Sequence, residues 1–72
     1  MIEKKELTEI IASNIRRLRE QKGLSQADLA NACKCTQPFI SEVESGDALP
    51  NVVTLYRIAE VLGKTPNDIY FR

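Results

Sequence analysis

The chain has 72 residues, 43% of them apolar and 28% charged, the composition of one small globular domain rather than a disordered tail. Ten Lys and Arg balance ten Asp and Glu, so no overall basic excess draws the chain to nucleic acid. No run approaches the ~20 apolar residues that span a bilayer, and no signal-peptide core opens the chain, which predicts a cytoplasmic, water-soluble protein.

Met1 to Glu6 is charged and is expected to fray. From Leu7, the apolar residues Leu7, Ile11, Ile15 and Leu18 recur at helical spacing until Gly23, predicting a first helix of about sixteen residues. Ile10 lies off that face. Arg16, Arg17, Arg19, Lys22 and Lys34 crowd into a stretch where only Glu20 and Asp28 oppose them, which predicts a dipolar domain with one basic surface. Ser25 is a good N-cap with Asp28 in the first turn, and Leu29, Ala30, Ala32 and Cys33 form the apolar face of a second helix. Thr36 opens a third, tolerates Pro38 in its first turn and turns Ile40 and Val43 inward before Gly46 stops it. The break between the second and third helices is too short for a linker. They must therefore cross steeply, with Ala27 and Ala30 as the small residues at the contact.

Gly46 and Pro50 bracket a loop. Asn51 caps a fourth helix with the face Val52, Leu55, Ile58, Ala59 and Leu62, closed by Gly63. Thr65-Pro66-x-Asp68 opens a short last helix carrying Ile69, Tyr70 and Phe71. The whole reads as all-α, five helices without a sheet, and without an internal repeat. There is no histidine, and Cys33 and Cys35 alone cannot complete a four-ligand zinc site within one subunit. Cys33 reads as a small buried hydrophobe and Cys35 as a partly exposed thiol. No phosphate-cradling glycine loop or nucleophile–base pair can be placed. The chain is thus expected to be no enzyme and to need no metal, cofactor or small-molecule ligand.

Two short helices in tight succession, the second projecting, form a helix-turn-helix. The stretch Gly23–Gly46 resembles the helix-turn-helix of the phage repressor and Cro (XRE-type) family. The likeness extends through Arg19-Glu20-x-x-Gly23-Leu24-Ser25-Gln26 before it and Glu44-x-Gly46, Pro50, Thr54-Leu55, Ile58-Ala59 and Leu62 after it, roughly residues 12–69. It implies a compact five-helix, lambda-repressor-like fold, residues 1–72 as one domain, and sequence-specific binding of double-stranded DNA, most often as a repressor. The third helix would enter the major groove of a pseudo-palindromic operator as part of a homodimer.

On that resemblance, Gln37 reads a base, and its amide matches adenine N6 and N7. Ser41 and Glu42 lie one turn further along the same side, and Pro38 offers apolar surface to a thymine methyl. Phe39 serves either that surface or the neighbouring helix. Gln26, at a helix N-terminus, is implied to contact a DNA phosphate, with Thr36, Lys34, Arg16 and Asn51 as further phosphate candidates. Arg19 and Glu44 match positions that in relatives form an ion pair linking the first helix to the end of the third. Lys34 stands where relatives usually carry glycine, and Asp47-Ala48-Leu49 where they often carry Lys or Arg against the backbone. Leu49, Val53, Ile69, Tyr70 and Phe71 are the candidates for a dimer surface, or equally, in the case of the last residues, for a C-terminal anchor. The rival expectation is a protein-interaction module, an antitoxin or adaptor that touches DNA weakly; neutral charge and Glu42 favour it.

Overall fold

Helix caps divide the chain close to where the sequence places them. The computed structural model describes residues 1–71. It contains α1 (Lys4–Gln21), α2 (Gln26–Cys33), α3 (Gln37–Ser45), α4 (Val52–Val61) and α5 (Pro66–Tyr70), with no strand among the described residues. The Ser25 hydroxyl accepts from Asp28 N while the Asp28 carboxylate accepts from Ser25 N, each at 3.0 Å, closing both ends of a capping box at α2. Thr36 accepts from Phe39 N at α3, and Asn51 from Thr54 N at α4.

α1 starts at Lys4 rather than Leu7, so residues 4–6 of the stretch expected to fray are helical. Leu7 N already donates to Glu3 O, and the Thr8 hydroxyl donates back to Lys4 O at 2.7 Å. Lys4, Lys5 and Glu6 are good helix formers, so the ladder continues N-terminally although Glu3 caps nothing with its side chain.

α1 packs on α3 and α5, α2 packs on α3 and α4, and α4 packs on α5. Their shared core is Ile11, Ile15 and Leu18 of α1, Leu29, Ala30 and Cys33 of α2, Ile40 and Val43 of α3, Leu55, Ile58 and Ala59 of α4, with Leu62 and Ile69. Each fully buried isoleucine or leucine contributes roughly 1.5–3 kcal/mol relative to leaving it in water. Phe39 is half-buried against this core, so it serves packing at least in part.

Three of the expected inward positions point out. Ala27 and Ala32 are exposed, leaving Ala30 as the small buried residue of α2 at the crossing. Val52 keeps the helical spacing of Leu55 and Ala59 but is 75% exposed, as the first residue of α4, at the helix end. Asn14 is a buried polar residue that apolar spacing alone does not flag. Its side-chain amide donates to Ile69 O at 2.9 Å and to Phe71 O at 2.7 Å, closing the C-terminus of α5 against α1.

The turn from α2 to α3 pivots on Lys34, which adopts φ 60° and ψ 39°. It is the sole non-glycine residue with positive φ among those described. Lys34 N donates to Asn31 O at 3.3 Å and Cys35 N to Ala30 O at 2.8 Å, so the turn closes with the usual left-handed cap and a lysine carries the strain.

Candidate nucleic-acid interface

α3 is held from one side and open on the other. Ile40, Val43 and Glu44 face inward, whereas Gln37, Pro38 and Glu42 are exposed and Ser41 is half-buried. At 3.6 residues per turn, Gln37, Pro38, Ser41 and Glu42 share one outward strip, so the structure brings the four proposed base readers onto a single face.

The inward grip is an ion pair. Arg19 Nε donates to Glu44 Oε2 at 2.7 Å and Nη2 to Glu44 Oε1 at 3.0 Å, a two-pronged contact between residues each only 9% exposed. Arg19 Nη1 also donates to Leu24 O at 2.7 Å, which ties the α1–α2 turn into the same contact. The hydrogen bond that Arg19 donates to Glu44 raises the Arg19 pKa above its already high ordinary value, against the opposing effect of burial. The expected pair is thus present, and it joins α1 to the last turn of α3.

Gln26 stands between this pair and the reading strip. Its Nε2 donates to Glu44 Oε1 at 3.2 Å, and its Oε1 accepts from Gln37 Nε2 at 2.8 Å. Only one amide N–H of Gln26 therefore remains for a phosphate. Sequence spacing placed Gln26 and Gln37 at two helix starts; that their side chains touch was not legible from it.

The other proposed phosphate contacts are dispersed. Thr36 is exposed at the α3 cap, and Asn51 uses its carbonyl oxygen on Thr54 N, leaving its NH2 group outward. Arg16 faces Glu20 at 3.7 Å on the exposed side of α1. Lys34 lines a shallow cleft with Arg57, Glu60 and Val61 of α4. None of the hydrogen bonds among the described residues links Arg16, Lys34 or Asn51 to Gln26 or Gln37.

The five cations of residues 16–34 expected on one basic surface do not all reach it. Arg19 is buried on Glu44, and Arg17 donates to Asn14 and faces a cleft with Lys64 and Asp68. The Lys22 ammonium lies beside Gly63. A helix distributes successive residues around its whole circumference, so closeness in sequence does not make a patch.

The dimer candidates also separate. Ile69 is completely buried and cannot contribute, because it is the core anchor of α5. Leu49 and Val53 are exposed at 42% and 60%, and they are joined by Val52 and by Tyr56, 59% exposed, which the sequence reading did not select. Tyr70 and Phe71 instead line a separate open groove of about 680 Å³ with Met1, Ile2, Leu7 and Ile10. Cys33 is buried, its thiol pushed up to about 11 chiefly by desolvation, and Cys35 is half-exposed. Among the described residues no cluster of His, Cys, Asp and Glu could hold a metal ion, and no helix is long and apolar enough to cross a membrane.

A family model described as helix-turn-helix matches residues 15–69. The chain is 36% identical over 58 residues to a protein of Sinorhizobium fredii named as the HTH-type transcriptional regulator y4dJ, covering 81% of this chain and 75% of that protein. Its fold is similar to the restriction-modification controller protein C.AhdI from Aeromonas hydrophila, with a TM-score of 0.84, 27% identity, and coverage of 88% of this chain and 96% of that one. It is also similar, at a TM-score of 0.87 and 26% identity, to part of the hydroxypropylphosphonic acid epoxidase of S. wedmorenis. There the match takes in 93% of this chain but 36% of the enzyme.

Proposed function

This chain belongs to the helix-turn-helix family of DNA-binding transcriptional regulators, and on that premise we propose that it is a sequence-specific repressor that lays the start of α3 in the major groove. The observation that carries this reading is the outward strip Gln37, Pro38, Ser41 and Glu42 on a helix clamped from behind by Arg19 and Glu44. A rigid mount matters because base-edge hydrogen bonds discriminate only when their donors and acceptors are held in place.

Gln37 reads adenine, Ser41 a base or phosphate, Pro38 a thymine methyl, and Glu42 accepts from cytosine N4 or turns away. Gln26, the α2 N-terminus, Thr36 and Asn51 contact the backbone, with Lys34 and Arg16 in supporting places. A single module of this size buries roughly 600–1,000 Å² on DNA, so a homodimer on half-sites about 10 base pairs apart, or a multiple of that, supplies the missing affinity. The exposed Leu49, Val52, Val53 and Tyr56 are the surface we assign to that dimer, in the cytoplasm of a prokaryotic or phage-infected cell.

Selection of bound sequences from a randomised duplex pool tests the reading. The expected result is a two-fold symmetric motif that Gln37→Ala relaxes at one position per half-site. No enrichment by folded protein overturns it. The dispersed cations and exposed Glu42 give the rival reading, a protein-interaction module, a specific footing. Affinity that falls steeply with salt supports the repressor, whereas indifference to DNA supports the module.

A further inference from the structure

Two free cysteines bracket the turn from which α3 is hung, and neither belongs to the reading strip. We propose that Cys33 and Cys35 are a peroxide-responsive dithiol that closes to an intrachain disulfide and thereby withdraws α3, the second effect resting on the proposed place of α3 in the major groove. Consecutive Cα atoms stand about 3.8 Å apart, so two residues with one between them lie within about 7 Å. A disulfide asks for about 4.4–6.8 Å between its Cα atoms, and a reversing turn shortens the span. The turn does reverse here. Lys34 is left-handed at φ 60°, Cys35 N donates back to Ala30 O at 2.8 Å, and Cys35 Sγ lies 3.6 Å from Cys33 O.

Burial divides the work between the two thiols. Cys35 is only half-buried, whereas Cys33 sits in the core with Leu29 and Ala30 and borders a cleft of about 180 Å³ lined by Lys34 and Arg57. Hydrogen peroxide therefore meets Cys35 first. The Cys35 thiolate sulfur attacks one peroxide oxygen, the O–O bond breaks, and the departing hydroxide takes up the thiol proton as water, leaving a sulfenic acid. The Cys33 sulfur then attacks the Cys35 sulfur. An S–S bond forms, the S–O bond breaks, and the leaving hydroxide carries off the Cys33 proton as a second water. The dithiol gives up two electrons, and the peroxide is reduced by the same two.

Joining a core sulfur to a half-exposed one requires the last turn of α2 to loosen. Cys33 ends α2, and Cys35 directly precedes Thr36 and Gln37, the cap and first residue of α3, so the movement passes straight into the reading helix. Lys34 favours it, because an unwound turn frees the lysine from positive φ. Reduced wild type, Cys35→Ser and Cys33→Ala are each treated with hydrogen peroxide, unfolded in iodoacetamide to label free thiols, and weighed by mass spectrometry. Circular dichroism melts and affinity for the selected duplex are measured before peroxide, after it, and after dithiothreitol.

The expected result is a wild-type chain lighter by about 2 Da, its two hydrogens gone, that takes no label. It should melt at a lower temperature and bind the duplex about tenfold or more weakly, the loss of one base contact per half-site, and dithiothreitol should restore both. Cys35→Ser should keep a labelled Cys33, its melt and its affinity through the same treatment. Cys33→Ala should stop at a sulfenic acid that dimedone traps; should that variant fail to fold, Cys35→Ser decides alone. Two labelled thiols in the treated wild type, a Cys35-linked dimer, or added oxygen at Cys35 beside a free Cys33 overturns the dithiol. A disulfide that leaves melt and affinity unchanged overturns the withdrawal of α3. No binding by the reduced protein overturns the DNA reading instead, while mass and melt still judge the dithiol.

Discussion

The turn from α2 to α3 and the turn from α4 to α5 are built on one plan. Leu29, Ala30, Cys33 and Ile40 occur at the same spacing as Ile58, Ala59, Leu62 and Ile69, and all eight are buried. Each first helix ends in a left-handed residue, Lys34 or Gly63, followed by one further residue and then a threonine cap. The closing bonds match as well: Cys35 N donates to Ala30 O at 2.8 Å, and Lys64 N to Ala59 O at 2.9 Å. The outward residues do not match. α3 runs on to Val43 and Glu44, is tied to α1 through Arg19, and shows Gln37, Pro38 and Glu42 to solvent. α5 stops at Tyr70 with its end closed by Asn14, wedged against α1 and α4. The same corner thus serves once to present a helix and once to anchor one, and only the positions outside the shared spacing distinguish the two.

If the corners are equivalent, their central isoleucines should be too. Ile40→Ala and Ile69→Ala, both completely buried in the parent, should each cost about 2–5 kcal/mol in urea denaturation. A loss at Ile69 within about 0.5 kcal/mol of wild type would make α5 a loose appendage and end the comparison.

A smaller effect sharpens it. Lys34→Gly should stabilise the protein and Gly63→Lys should destabilise it, each by about 1 kcal/mol, since a side chain is strained at positive φ. Space is not the reason at Gly63: a Cβ there would meet nothing nearer than the Lys22 Nζ at 3.8 Å. Paired thermal melts check both signs; a destabilised Lys34→Gly would mean that the lysine makes a compensating contact.

The smallest effect concerns the acids at the helix starts of the two units. Asp28 and Asp68 are both held below the ordinary aspartate range, first by backbone N–H bonds from Ser25 and Thr65 and then by the hydroxyls of the same residues. A carboxyl whose pKa is lower in the folded than in the unfolded chain stabilises the fold fully above its unfolded pKa. That contribution is lost as pH falls through the folded value. NMR titration should therefore give both carboxyls midpoints below a model aspartate, and Asp28→Asn and Asp68→Asn should each flatten the acid limb of stability.

The fold was legible because its signals are local. Ser25, Thr36, Asn51, Thr65 and the glycines punctuate the chain, and apolar spacing sets the faces between them. Apolar spacing misleads where a residue sits beside a stripe, as Ala32 does, or at a helix end, as Val52 does, and charge counting misleads where a cation is buried, as Arg19 is. So apolar a short last helix suggests residues to spare for a dimer, Ile69 among them. The burial of its side chain shows that anchoring α5 uses it entirely. The kinship of the two corners is hidden in the sequence because Lys34 and Gly63, Cys33 and Leu62 differ in chemistry while sharing a conformation or a place in the core. The contact between Gln26 and Gln37 depends on the angle at which two helices cross, which no local pattern encodes.

The buried Cys33 thiol gives the domain an internal clock. With its pKa at about 11, only about one molecule in ten thousand carries the reactive thiolate at neutral pH, and the sulfur is shielded besides. Alkylation of Cys33 thus has to await separation of α2 from α4, whereas half-exposed Cys35, two residues away, supplies the unprotected reference within the same molecule. The ratio of the two labelling rates reads how often the core beneath the presented helix opens, with no added probe and no denaturant.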